Sequence, residues 1–163
     1  MKKFELTNEF ITNMFGTKLF RIRALVEFGD VEAGELGGYV EKESNLGHDD
    51  NAWVYGDAQV SGDALVYGNA LVCGDARVCG DARVCGDARV CGNGDYAYAH
   101  GFGSVNRTTT FFRLKDGGVG VRCGCFYGTL AQFRDKIRET HGETKKAQEY
   151  LMLADLMKLR FEK

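Results

Sequence analysis

Seven consecutive six-residue units between Ala52 and Gly92 follow one template: Ala, a variable residue, Val, a variable residue, Gly, then Asp or Asn. The valines at Val54, Val60, Val66, Val72, Val78, Val84 and Val90 never miss the period, and the alanine two residues before each is equally constant. Such self-similarity at a fixed short period is the signature of a solenoid. Within a unit, Ala-x-Val-x alternates inward and outward as a short strand does, and Gly with Asp or Asn turns the chain. A continuous α-helix fails, because valines six apart would be rotated by about 240° on 3.6 residues per turn. A Gly in every unit would also cost about 1 kcal/mol against Ala. Strands this short cannot stand alone and must stack on equivalents from the next coil.

The units resemble the hexapeptide repeats of left-handed parallel β-helix proteins, which carry an aliphatic residue and a small one four positions later, here Val72 and Ala76, Val78 and Ala82, Val84 and Ala88. The resemblance implies three hexapeptides, or eighteen residues, per coil. A second resemblance rests on Lys18 to Leu25, Leu36-Gly37-Gly38-Tyr39-Val40-Glu41-Lys42-Glu43 and the Gly-Asp-Ala repeats, which look like proteins encoded in bacteriophages and prophages. It implies a counter-defence role, such as sequestering a nucleotide signal of host immunity.

The flanks are less regular. Residues 1–50 are expected to form an N-terminal β cap and lead-in, with strands at Lys3–Leu6 and Lys18–Phe28 and with Phe20, Ile22, Ala24, Val26 and Phe28 alternating on one face. Val40 and Leu46, six apart, resemble a degenerate first unit. Residues 51–95 form the repeat. Residues 96–163 are expected to hold a hairpin, Ser104–Leu114 with Val119–Tyr127 around Asp116-Gly117, and two helices. Thr129 with Gln132 makes a capping box for the first helix, which ends near His141-Gly142. The second runs from about Thr144 to Phe161, packing through Ala147, Tyr150, Leu151, Ala154 and Met157. Leu153, Leu156 and Leu159 widen that stripe and suggest an oligomer contact. The expected fold class is mainly β: a short parallel β-helix, left-handed as the resemblance implies, an N-terminal β cap, and a C-terminal hairpin with two α-helices in one compact unit.

With eighteen residues per coil, outward residues stack in columns. One side carries Trp53, Leu71 and Arg89 beside Tyr55, Cys73 and Cys91; another Gln59, Arg77, Ser61 and Cys79; the third Leu65, Arg83, Tyr67 and Cys85. The first is the most apolar and needs a cover, either the terminal segments or another subunit. Trp53, Tyr55 and Leu71, with Leu153 and Leu156, are the expected contacts of a homo-oligomer, and the resembled family implies a trimer. Arg77, Arg83 and Arg89 fall on three sides and form a ring, not a nucleic-acid patch.

Net charge is -2, so bulk electrostatics offer no attraction to nucleic acid or an anionic membrane. No apolar run is long enough to span a bilayer, and Glu5, Asn8 and Glu9 interrupt any signal-peptide core. A cytoplasmic location in a bacterial host follows, with thiols reduced by default. Of the four repeat cysteines, Cys73, Cys79, Cys85 and Cys91, only Cys73 and Cys91 share a side and can meet, while Cys123 and Cys125 face the same way on one expected strand. No metal site and no cofactor are expected.

The chemistry-bearing constellation is Tyr96, Tyr98, His100 and Phe102 with Arg107, Arg113 and Arg122. Aromatic faces stack on bases and guanidinium groups grip phosphates. The same residues also suit a plain cap, with aromatics closing the solenoid and arginines in solvent. A hexapeptide acyltransferase would need a histidine base among His48, His100 and His141, and only His100 has suitable neighbours. The expected function is non-enzymatic: binding and sequestering a ligand of host immunity, a nucleotide signal foremost. The alternatives are a protein-protein inhibitor of a bacterial defence complex and an acyltransferase.

Overall fold

The computed structural model describes residues 2–103 and 107–162. The chain opens with β1 (Phe4–Thr12), β2 (Lys18–Ala24) and β3 (Leu36–Val40), paired antiparallel in that order. Each repeat unit then contributes a two-residue strand: β4 (Trp53–Val54), β5 (Gln59–Val60), β6 (Leu65–Val66), β7 (Leu71–Val72), β8 (Arg77–Val78), β9 (Arg83–Val84) and β10 (Arg89–Val90). These strands pair in parallel with partners eighteen residues away. Trp53, Leu71 and Arg89 align in one ladder, Gln59 and Arg77 in a second, Leu65 and Arg83 in a third. The chain visits the three ladders in turn, so the repeat arginines stand on three different sides.

The period follows from burial. All seven valines and their alanines are sealed from solvent, and the neighbouring coils bond through bonds such as Tyr55 N to Val72 O at 2.7 Å and Gln59 N to Ala76 O at 2.9 Å. Six of the seven corner glycines, Gly56 to Gly86, have φ between 59° and 68°, where a Cβ is strained. Gly92 is extended at φ -166°, and there the chain leaves the solenoid.

The N-terminal segment does more than close an end. β3 joins the second ladder edge to edge, setting Val40 on Val60, and a bridge sets Leu46 on Val66, so Val40, Leu46 and Val54 make an irregular first coil. Gly38 is obligatory here: a Cβ would lie 2.6 Å from Ala58 O. The single-face alternation expected for Phe20 to Phe28 is broken. Irregular register beside Leu6 and Arg21 puts Leu19, Ile22 and Ala24 inside and leaves Phe20 half-buried against Phe10. Phe4 and Phe28 pack edgewise on Trp53 at 6.3 and 5.2 Å between ring centroids. Trp53 is thus fully buried within its own chain and has no surface to offer a second subunit; Tyr55 and Leu71 pack, partly buried, against the same core.

After the repeat, β11 (Tyr96–Phe102), β12 (Arg107–Arg113), β13 (Val119–Cys123) and β14 (Phe126–Thr129) form an antiparallel sheet, followed by α1 (Leu130–His141) and α2 (Lys145–Phe161). The expected single hairpin is two. β12 and β13 reverse around Asp116-Gly117 as anticipated, whereas β13 and β14 reverse at Gly124-Cys125, with Gly124 at φ 60°. Cys123 and Cys125 therefore do not share a strand. Ser104, at the expected start of the hairpin, lies outside the described residues. One face of the sheet closes the last coil, with Tyr96 and Phe112 joining the solenoid core and Thr110 Oγ1 accepting from Arg83 N at 2.9 Å. The other face carries Phe111 and Val121 against Phe133, Ile137, Tyr150 and Ala154 of the helices.

Cys73 and Cys91 form a disulfide, where reduced thiols were expected. Their eighteen-residue separation places them on one ladder with Cα atoms 4.4 Å apart, within disulfide reach. Val72→Asp places an unpaired charge in the sealed interior and is expected to abolish soluble folding, checked by expression and circular dichroism. Ala76→Leu overpacks it and should lower the free energy of urea unfolding by about 1–3 kcal/mol.

Candidate functional site

A solenoid interior filled by Val and Ala leaves no room for a ligand, so a site must lie where the repeat meets something else. The third ladder meets the end sheet at a cleft of about 530 Å³ lined by Leu65, Tyr67, Asp81, Arg83, Arg107, Thr108, Arg122 and Gly124. The positions follow from strand alternation. On β12, Thr108, Thr110 and Phe112 face the solenoid; on β13, Arg122 pairs with Thr110 and faces the same way, with its guanidinium carbon 5.8 Å from the centre of the Tyr67 ring. Arg83 follows Leu65 in the ladder, and Arg107 sits at the edge of β12.

Charge is unbalanced here. Among the described residues, no carboxylate lies within 4 Å of the guanidinium groups of Arg83, Arg107 and Arg122, and Asp81 is the one acid among the lining residues. Burial pushes the Tyr67 phenol up to about 12, the neighbouring Cys85 adds to that, and Arg122 and Arg83 oppose it. The Cys85 thiol is itself pushed up by burial.

The seven residues expected to form a site are dispersed. Tyr96 is buried as a plug, its hydroxyl bonded to Arg77 O. Tyr98, 40 % exposed, lays its phenol over Gly80. His100 is held at Thr108 Oγ1, 2.7 Å away. Phe102 packs in the helix-side core. Arg113 donates to Phe161 O at 3.0 Å and stacks on the Phe161 ring, tying down the end of α2. Only Arg107 and Arg122 enter the cleft. Tyr67, Arg83 and Thr108 complete it; the eighteen-residue column that groups Leu65, Arg83 and Tyr67 was the sequence signal for the first two, and Thr108 had none.

The YdcK beta solenoid repeat family matches residues 58–74 and 76–92. This chain is a β-solenoid protein. The match covers the regular coils only and does not reach β11 to α2, which supply the other wall of the cleft. No curated protein matches the chain. No helix among the described residues is long and apolar enough to cross a membrane.

The tyrosine shifts set an alkaline limit. Tyr55, Tyr67, Tyr98 and Tyr127 all ionise less readily when folded than their ordinary value of 10, chiefly through burial. Above pH 10 the unfolded chain loses these protons first, so stability is full below pH 10 and falls as pH rises through the folded values. Urea midpoints at pH 9 and pH 11.5 should show the drop, and Tyr67→Phe should reduce it.

Proposed function

We propose that the chain binds an anionic ligand, without converting it, in the cleft of Arg83, Arg107 and Arg122. The observation that supports this is the convergence of three arginines lacking a carboxylate partner on a cleft of small-molecule size. Arginine offers five donors in a fixed fork suited to phosphate, and the Tyr67 ring beside Arg122 offers a stacking face. These features favour a nucleotide signal as the ligand. On that reading the protein is a phage-type counter-defence protein that sequesters a ligand of host immunity in the bacterial cytoplasm, built on a left-handed parallel β-helix.

A second reading, protein-protein inhibition of a defence complex, draws on the β1–β2 tip. There Asn13 Oδ1 accepts from Phe15 N and Thr17 N, fixing a turn that holds Met14 and Phe15 85 % exposed. For homo-oligomerisation, Leu153 packs inward, while Met152, Leu156 and Leu159 remain largely exposed on α2. These three are the apolar surface that α2 offers a second copy.

Calorimetry against cyclic dinucleotides and cyclic ADP-ribose isomers tests the ligand. Arg83→Ala or Arg122→Ala should weaken binding about tenfold or more, the loss of a charged hydrogen bond. Arg113→Ala should leave affinity unchanged while lowering stability. No binding by folded wild-type protein removes the nucleotide reading, and release of altered ligand on heating points to an enzyme. Sedimentation tests assembly: the wild type should exceed one chain in mass, and Leu156→Glu should reduce it to one.

A further inference from the structure

The opposite face of the end sheet holds a separate cavity of about 260 Å³ between β13, β14 and the two helices. Phe126, Phe133 and Ile137 supply an apolar floor, and Cys123, Cys125, Lys136, His141, Tyr150 and Arg107 the chemistry. No acidic residue is among its lining residues; Glu139, 3.7 Å from Lys136, stands outside it. The fully buried Thr109 donates its hydroxyl to Cys123 Sγ at 3.2 Å, and the Tyr150 hydroxyl lies 3.7 Å from the same sulfur. The thiol donates to the Tyr150 oxygen, and that hydroxyl can turn to donate beside Thr109 once the thiol proton has left. His141 stacks on Tyr150 at 5.7 Å, holding that ring against the sulfur's pocket.

Cys125 lines the same cavity but has no hydroxyl partner among the described residues, and the two remaining free thiols lie elsewhere. Cys85 is buried in the solenoid wall, Cys79 is exposed beside Tyr96, and Cys125 is exposed at the turn. Cys123 alone combines partial access, a hydroxyl donor in Thr109, a hydroxyl partner in Tyr150 and cations along an open cavity. Thiol-disulfide exchange requires an accessible thiolate and a disulfide that can reach it.

We propose that Cys123 is an exchange site for an anionic low-molecular-weight disulfide. The Cys123 thiolate attacks one sulfur of that disulfide, and a new S–S bond forms as the old one breaks. The leaving half departs as a thiolate and takes a proton from water. Cys123 is oxidised to a mixed disulfide and the incoming disulfide is reduced, so no further oxidant is required. The carboxylates of the bound half would lie toward Arg107 and Lys136. The cavity shares Arg107 with the arginine cleft on the other face of the sheet, but Lys136 lines only this cavity, so the two sites can be tested apart.

The full-length protein is incubated with oxidised glutathione, or with the cationic disulfide cystamine, and adducts are timed by intact mass and peptide mapping. Cys123 is expected to be labelled before the more exposed Cys79 and Cys125, and faster by oxidised glutathione than by cystamine. Lys136→Ala, at an exposed helix position, should slow the glutathione reaction about two- to fivefold, as expected for one partly screened charge, without slowing cystamine. Labelling of Cys79 or Cys125 first, equal or faster reaction with cystamine, or an unchanged glutathione rate in Lys136→Ala would overturn the proposal.

Discussion

Everything in this chain hangs on the in-register parallel stacking of strands only two residues long. A two-residue strand has no stability of its own, and it persists because each Val and Ala is sealed by the equivalent residues one coil away. That stacking fills the interior with small side chains and drives chemistry to the outside. It also leaves two open ends, whose unpaired backbone groups and apolar side chains must be covered. The irregular coil of Val40, Leu46 and Val54 with β1–β3 serves one end, and β11–β14 with its two helices serves the other.

The end sheet is a wall shared by two cores. Alternation along β12 sends Thr110 and Phe112 to the solenoid and Thr109 and Phe111 to the helices, so both faces are occupied and the sheet cannot slip by one residue without unburying an aromatic. Glycine corners assist the docking. Tyr98 and Tyr127 rest their phenols on Gly80 and Gly86, where any side chain would collide with the ring. The glycine of the repeat thus serves both the positive φ of the turn and the close approach of the cap.

The solenoid was legible because its signal is local and repeated: Val54 to Val90 define an interior and an eighteen-residue column defines each side. The column of Trp53, Leu71 and Arg89 was correctly grouped, and its cover was left open between the terminal segments and another subunit. Phe4 and Phe28 settle this for Trp53. The cleft was not legible, because it depends on which side of the solenoid meets β12 and β13. That choice is made by long-range contacts such as Arg83 N with Thr110 Oγ1, twenty-seven residues apart. Residue type alone grouped Arg107, Arg113 and Arg122, but strand parity separates the last two, sending Arg122 toward Tyr67 and Arg113 to Phe161. The Cys73–Cys91 bond shows the converse: the spacing identified the one pair able to meet, while the expectation of reduced thiols came from compartment, which geometry does not encode.

Three arginines around one cleft repel one another, and the repulsion is offset only in part, by Asp81 in the lining and by Asp63, whose carboxyl Lys42, with help from Arg83, holds below its ordinary value. Such an arrangement is unfavourable for folding by itself, because like charges gathered at one cleft repel, in contrast to the ion pairs of Arg21 with Glu9, Arg23 with Glu5 and Arg134 with Asp155. An anion that binds only the folded form would relieve that repulsion and add its own binding free energy to stability, about 2.7 kcal/mol at a concentration one hundred times its dissociation constant. The cost of the unpaired arginines and the affinity for an anion are then two sides of one electrostatic arrangement. The solenoid tolerates it because its core of Val and Ala is made elsewhere, away from the charges that face the cleft.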